Sequence, residues 1–223
     1  MIIERNKSMR EKVYDSLKQM IIDEEIKSGE RIIETEYSNK FQISRTPIRE
    51  AIRMLELEGL VESVTTGGVI VKSFSKEEIL EIYKIRIALE GIVLEEIIKK
   101  GTALDLKKIE EILKNTEKAF NNKDAESIFS LFTEFNRTLY DIANLPKVTA
   151  MINNINLYLK RFRQLSIENS TRKEEAFKDH IQILEAIKKK DILMATNLNR
   201  IHLEKSMNFI LLKYSIELKT TVK

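Results

Sequence analysis

Between Arg45 and Glu58 two incompatible surfaces recur on one helical period. Ile48, Ala51, Ile52 and Leu55 stand at i, i+3, i+4 and i+7 and form a single apolar face. Arg45, Arg49 and Arg53 recur every fourth residue on a different face. Such a helix has to seat one side on a small core and hold guanidinium groups away from it. Ser44 or Thr46 can cap its start. Pro47 suits a first turn, where its missing N–H would be unpaired anyway. Gly59 marks the end.

The flanks narrow the architecture. Val13, Leu17, Met20, Ile21 and Ile26 predict a helix over 9–27, stopped by Ser28-Gly29-Glu30 with Gly29 as its cap. Ile32 and Ile33 read as a short extended link, and Glu34 to Phe41 as a second helix, followed by a tight turn at Gln42-Ile43-Ser44. Beyond Gly59 come two β-rich runs, Leu60–Val64 and Val69–Val71, around Thr65-Thr66-Gly67-Gly68. This is a hairpin signal, with glycines able to take positive φ in the turn. Helix, turn, helix and glycine hairpin occur here in the order of a winged helix-turn-helix.

Ser73 to Lys76 reads as a linker, and almost everything after it is helical. Helices are predicted near 76–100, 103–121, 124–143, 147–168, 171–189 and 191–218. Breaks fall at Gly101-Thr102, Asn121-Asn122, Asn144-Leu145-Pro146, Asn169-Ser170 and Lys190-Asp191. The first of these helices carries an apolar stripe of Ile79, Ile82, Ile85, Ile87 and Leu89. The expected fold is mainly α: a winged helix-turn-helix with a small β-hairpin wing over 1–73, then an all-α helical bundle over 74–223.

Composition removes several classes of function. Apolar residues make up 43% of the chain, enough for a real core. Two prolines and six glycines leave little material for a turn-rich β sandwich. The absence of cysteine removes disulfides, thiolate metal sites and a cysteine nucleophile together. The opening MIIERNKSMREK lacks the apolar stretch of a signal peptide, and no segment approaches the roughly 18 apolar residues of a membrane span. A soluble, cytoplasmic protein with no membrane partner is expected. The net charge of +3 says little: residues 1–75 hold 12 basic and 13 acidic side chains, leaving 26 and 22 in 76–223. The N-terminal part is not basic overall, so attraction to DNA has to come from where its charges sit.

An arginine fork can bond guanine O6 and N7 together or hold a phosphate. Residues near the N-terminal end of a recognition helix reach base edges. Arg45, Thr46 and Arg49 are therefore the base-reading candidates, with Ser44 at the helix start beside them and Arg53 a phosphate contact. Taken alone, the arginine spacing also fits a solvated basic face on an ordinary helix. The run Ser44-Arg45-Thr46-Pro47-Ile48-Arg49-Glu50-Ala51-Ile52, followed by Leu55-Glu56-Leu57-Glu58-Gly59-Leu60-Val61, closely resembles the signature of GntR-family regulators. Val13-Tyr14 through Ile32, with Ser28-Gly29-Glu30-Arg31, is similar to that family's first helix and turn. The resemblance implies that Arg45 and Arg49 contact a double-stranded operator and that the Gly67-Gly68 tip enters the minor groove. The family usually has a basic or polar residue around the wing glycines. The tip Thr-Thr-Gly-Gly-Val departs from that and implies weaker wing contacts, or contacts made mainly by backbone.

The helical remainder resembles the FCD effector domain of the family's FadR-type branch. Ile85-Arg86-Ile87-Ala88-Leu89-Glu90, Glu134-Phe135-Asn136 with Ala143-Asn144, Asp179-His180 and Arg200-Ile201-His202 carry the likeness. It implies a domain for ligand sensing and dimerisation. Many such domains hold a metal on one Asp and three His. His180 and His202, the only histidines here, stand at two of those positions. Phe132 stands where the resemblance places Asp, and Asn136 where it places the first His. Imidazole suits zinc or nickel. Without the carboxylate, two imidazoles and an amide form a weak, neutral set, so a divalent metal is disfavoured against a metal-free pocket or hydrogen-bonded core histidines. Asn136, His180 and His202 are pocket residues either way. Arg86, alone on an apolar face, needs a partner if buried. Glu90 one turn on is one partner; the carboxylate or phosphate of an effector, such as an organic acid, is the other.

The function expected is that of a ligand-controlled transcription factor, a homodimer with two recognition helices in successive major grooves of a near-palindromic site. Repression is the usual family outcome. No glycine-rich phosphate loop is present, both histidines fall in the C-terminal part, and nothing favours an enzyme. The alternative is a helical scaffold with a vestigial DNA-binding domain; the retained Arg45, Arg49 and Gly67-Gly68 stand against it.

Overall fold

The computed structural model describes residues 7–23, 25–65, 67–72, 75–168 and 170–221, and their side chains except at 157, 158, 160–168, 170 and 213–221. The chain divides at Ser75/Lys76 into two compact units. Residues 1–6, Thr66 of the expected turn, Ser73 and Phe74 of the expected linker, and Asn169 of the expected break lie outside the described residues.

The first unit opens with α1 (Met9–Ile22), started by a reciprocal cap: the Ser8 hydroxyl accepts from the Glu11 N–H, and the Glu11 carboxylate accepts from the Ser8 N–H at 2.7 Å. α1 stops five residues short of the expected 27. Asp23 closes it, donating its N–H to the Gln19 carbonyl at 2.8 Å. The apolar Ile26 that extended the periodicity belongs to the loop, where it is still fully buried. Gly29 is therefore not the cap. It takes φ of 79° in the following turn and donates its N–H to the Val71 carbonyl at 2.8 Å.

The expected extended link is in part a strand. β1 (Arg31–Ile32) pairs antiparallel with β3 (Val69–Val71), Arg31 opposite Ile70. β3 pairs in turn with β2 (Val61–Ser63), giving a sheet of order β1-β3-β2. A strand of two residues has no alternation to read, which is why only its partners were visible as strands. Ile32 points into the core, while Ile33 is half exposed and caps α2 (Glu34–Phe41).

The turn after α2 passes through Gln42 at φ of 55°, in the left-handed region. The Ile43 N–H then bonds the Ser38 carbonyl at 3.1 Å, and the Ser38 hydroxyl donates to the Ile43 carbonyl at 2.6 Å. α3 (Arg45–Leu57) follows, with Ser44 as N-cap but without a side-chain capping bond. Its underside is as expected: Ile48, Ala51 and Leu55 are completely buried and Ile52 nearly so, packed with Val13, Leu17 and Ile21 of α1.

The second unit is all helix: α4 (Lys76–Lys100), α5 (Ala103–Asn121), α6 (Ala125–Ala143), α7 (Pro146–Glu168), α8 (Ser170–Lys188) and α9 (Ile192–Thr221). The sequence breaks act as helix ends with identifiable caps. Thr102 and Asp105 form a capping box for α5, Asp124 accepts from the Ser127 N–H at 3.0 Å for α6, and Asn144 closes α6 at φ of 50°. The core gathers Val93, Leu94 and Ile97 of α4 with Ile109 of α5, Phe135 of α6, Ile152 of α7 and Ile183 of α8. Of the α4 stripe read from sequence, Ile79 is buried, but Ile85 is 45% exposed and shares an open face with Ala88 and Ile92.

A left-handed residue with a Cβ carries roughly 1–2 kcal/mol of steric cost, and glycine removes it. Gln42→Gly should therefore stabilise the first unit by about 0.5–1 kcal/mol after glycine's unfolded-state entropy is subtracted. Leu55→Ala should destabilise it by about 2–5 kcal/mol. Urea denaturation followed by circular dichroism reads both.

Candidate nucleic-acid face and ligand pocket

In the first unit, the burial of Ile48, Ala51 and Leu55 turns the other side of α3 to solvent. Ser44, Arg45, Thr46, Arg49 and Arg53 are all exposed there. Glu34, the first residue of α2, reaches across to two of them. Arg49 donates to it twice, Nε to Oε1 at 2.8 Å and Nη2 to Oε2 at 2.9 Å; Arg45 Nη2 donates to Oε2 at 2.9 Å. These bonds, the Arg49 pair foremost, bring the Glu34 carboxyl down to about 2, so it is ionised throughout the physiological range.

Arg45 and Arg49 share a shallow groove with Gly67 and Gly68 of the wing and with Arg31 of β1. The wing turn is held by the Val64 N–H on the Gly68 carbonyl at 3.1 Å and the Gly67 N–H on the Val64 carbonyl at 2.9 Å. Both glycines sit at positive φ, 81° and 91°. The Arg31 alkyl chain lies over Gly68, 3.6 Å from where a Cβ would stand. Five of the seven DNA-facing candidates, Ser44, Arg45, Thr46, Arg49 and Arg53, thus lie along the exposed side of α3, and the wing glycines border the same groove as two of them. Arg31 and Glu34 belong to this face as well. Neither is named as a DNA contact from the sequence, since Arg31 is placed by the pairing of β1 with β3 and Glu34 by bonds to arginines 11 and 15 positions on.

The second unit holds a cavity of about 90 Å³ between α4, α6, α8 and α9. Arg86, Asn136, His180 and His202, the four candidates named from sequence, all line it. Arg172 and Lys173 of α8 line it too, and no carboxylate does among the described residues. The two alternatives for Arg86 turn out to be compatible. Its Nε donates to Glu90 Oε1 at 2.7 Å, with both side chains almost fully buried, while the guanidinium also forms cavity wall. Glu90 accepts two further bonds, from Tyr140 at 2.9 Å and Asn199 at 3.0 Å. Burial alone would raise the Glu90 carboxyl; the Arg86 charge and these bonds outweigh it and hold it low.

Arg172 is buried, with Nη2 donating to Ser206 Oγ at 2.7 Å and to the His202 carbonyl at 3.2 Å. Asp179 binds His202 Nδ1 at 3.2 Å and Lys205 Nζ at 2.7 Å. Burial works to raise its carboxyl, but those two bonds prevail and bring it to about 2. His180 is 2% exposed, stacked on Phe135 at 4.2 Å and met edge-on by Phe132 at 4.9 Å. Burial above all, then the neighbouring His202, pushes it well below the usual histidine range, so it is neutral at pH 7. Its Nδ1 is buried and has no hydrogen-bond partner among the described residues.

These donors do not fit a divalent cation. Phe132 fills with a ring the place where a carboxylate would be needed, and the Asn136 amide donates back to the Phe132 carbonyl of its own helix at 3.1 Å. Among the described residues no group of three or more His, Cys, Asp or Glu is placed to hold a metal, and no helix is long and apolar enough to cross a membrane.

Comparison with known proteins bears on both units. A profile of bacterial regulatory proteins of the gntR family matches residues 9–71, and one of the FCD domain matches residues 81–205. The HTH-type transcriptional regulator YdhC of Bacillus subtilis (strain 168) is 36% identical over 180 residues, 80% of each chain. The gluconate operon transcriptional repressor of the same organism is 27% identical over 81% of this chain and 76% of its own. Among solved structures, McbR/YncC of E. coli superposes with a TM-score of 0.71 at 22% identity, covering 94% of this chain and all of that one, a likeness of fold.

Asp179 gives a pH signature. Its folded value, about 2, lies below its ordinary 3.8, so the stability it contributes is complete above the ordinary value and lost as pH falls through the folded one. Asp179→Asn should have a lower melting temperature than the parent near neutral pH, and the gap should close as pH drops from about 4 towards 2. Thermal melts across that range check it; a gap that does not change would mean that Asp179 is not the ionised partner of His202 and Lys205.

Proposed function

The chain belongs to the gntR family of bacterial regulatory proteins and carries an FCD domain, and on that premise we propose that it represses transcription as a homodimer whose hold on its operator is set by a small organic anion in a metal-free pocket. It is a DNA-binding transcriptional regulator; the dimer, the sense of control, the residue roles and the effector class are the proposal.

One observation carries the DNA-reading part. Arg45 and Arg49 stand together on the solvent side of a helix whose other side is buried, in a groove shared with the wing glycines. In this assignment Arg45, Thr46 and Arg49 read base edges, Ser44 and Arg53 contact the backbone, and Gly67 and Gly68 bring wing backbone close to the minor groove. The repressor name of a relative supports the sense of control. The open apolar face of Ile85, Ala88 and Ile92 on α4 supports pairing with a second copy.

For the effector, the cavity wall decides the charge. Arg86, Arg172 and Lys173 line it and no described carboxylate does; Glu90 and Asp179 stand behind Arg86 and Arg172, at 2.7 and 3.7 Å, and not in the wall, so an anion in the cavity is favoured over a cation. His180, neutral and with a buried nitrogen unsatisfied, offers a hydrogen bond to an uncharged part of the same ligand. We assign no catalytic step, because the gntR family profile and the named relatives describe transcriptional regulators. The effector alters DNA binding only if it favours one arrangement of the dimer over another.

A gel shift with duplex from the upstream region of the chain's own gene tests the first part. The parent should shift it, and an Arg45→Ala, Arg49→Ala double variant should lose specific binding while eluting as an intact dimer. Each lost bidentate base contact removes about 1–3 kcal/mol of discrimination. A panel of small carboxylic acids tests the second part. At least one should raise the melting temperature and change the shift, with its amide inert and a chelator without effect. Equal response to acid and amide, or loss of response on chelation, would overturn the metal-free anion pocket.

A further inference from the structure

We infer that Glu34 is a specificity-determining residue of the DNA-reading face: it holds Arg45 and Arg49 in the orientation that reads bases and keeps them from binding phosphates indiscriminately. The assignment rests on the DNA-reading function proposed above and names a residue outside the recognition helix as part of it.

The geometry is more specific than a surface ion pair needs. Glu34 spends both carboxylate oxygens on the side edge of Arg49, Nε and Nη2, and shares Oε2 with Arg45 Nη2, all between 2.8 and 2.9 Å. A guanidinium bound on its side edge keeps its end edge free, because Nη1 and the second hydrogen of Nη2 point the other way. That end edge is the pair of parallel donors that matches guanine O6 and N7. At Arg49 the carboxylate therefore does not compete with the base, and at Arg45 it takes a single Nη2 bond. It fixes the rotation of the fork that presents the end edge.

Stability does not account for the arrangement. The arginine side chains are 55% and 53% exposed, and exposed pairs contribute little after screening and lost side-chain entropy. Two other consequences follow from the contact itself. A fork held before binding loses less conformational freedom when it meets its base, so the cognate complex gains. One negative charge beside two positive ones also lowers the field that draws this face to any phosphate backbone, so random-sequence binding loses. Both effects act in the same direction on the ratio of specific to non-specific affinity. They are available because Glu34 opens α2 immediately after β1, where an anion at a helix N-terminus is favoured.

The test uses the full-length protein and two duplexes of equal length, its operator and a scrambled sequence, titrated by fluorescence anisotropy at several salt concentrations. In Glu34→Gln the ratio of operator to scrambled affinity should fall about tenfold or more, the free energy of one bidentate base contact. Scrambled-duplex affinity should rise, with a steeper dependence on salt. Glu34→Asp, which keeps the charge on a shorter arm, should recover part of the ratio. Melting temperature serves as control for folding. If Glu34→Gln weakens both duplexes equally, or leaves the ratio unchanged while the parent discriminates, the assignment of Glu34 is overturned. If the parent does not distinguish the two duplexes, the DNA-reading function fails first and this inference with it.

Discussion

Leu17, Ile48, Ala51 and Leu55 have no solvent exposure at all, and that dry contact between α1 and α3 sets where every polar group on α3 must go. A helix of 13 residues is marginal by itself in water. α3 exists because burying its underside, at about 25 cal/mol per Å², offsets the entropy of ordering it. The same burial fixes rotation about the helix axis. Turning α3 by one residue would drive an arginine into the core and an isoleucine out, so the basic edge is placed by apolar packing and not by charge.

The other unit solves a harder problem, that of a charge inside the protein. Arg86 and Glu90 are 4% and 5% exposed. A buried pair is weak support for stability, because desolvation consumes what attraction supplies. Here both oxygens of Glu90 are bonded, Oε1 by Arg86 on its own helix and Tyr140 on α6, Oε2 by Asn199 on α9. The network selects one register among three helices and leaves a guanidinium at a cavity wall. An arginine presented there without Glu90 would have been too costly to bury.

Most of the fold could be read from periodicity. Both helices of the reading motif, the two main wing strands and all six helices of the second unit were legible, because long amphipathic stretches and glycine turns leave local signals. What was missed lacks a local signal. Two residues of β1 cannot show alternation, and the end of α1 at Asp23 contains no glycine or proline. The site divides the same way. Arg45, Arg49, Arg86, Asn136, His180 and His202 were marked by residue type and spacing. Glu34, Arg172 and Asp179 gain their meaning from partners 15, 34 and 26 positions away. The acceptor set of Glu90 extends over 109 positions and could not be assembled from spacing.

The strand order β1-β3-β2 has a mechanical result. β3 is the inner strand of the wing, and its outer neighbour β1 runs within two residues into the start of α2, where the arginine clamp sits. The hairpin and the recognition helix are thus joined by a short, hydrogen-bonded lever and cannot adjust independently. Perturbations at the wing tip and on α3 should combine non-additively in a thermodynamic cycle, as two ends of a single rigid reader and not two separate grips on the duplex.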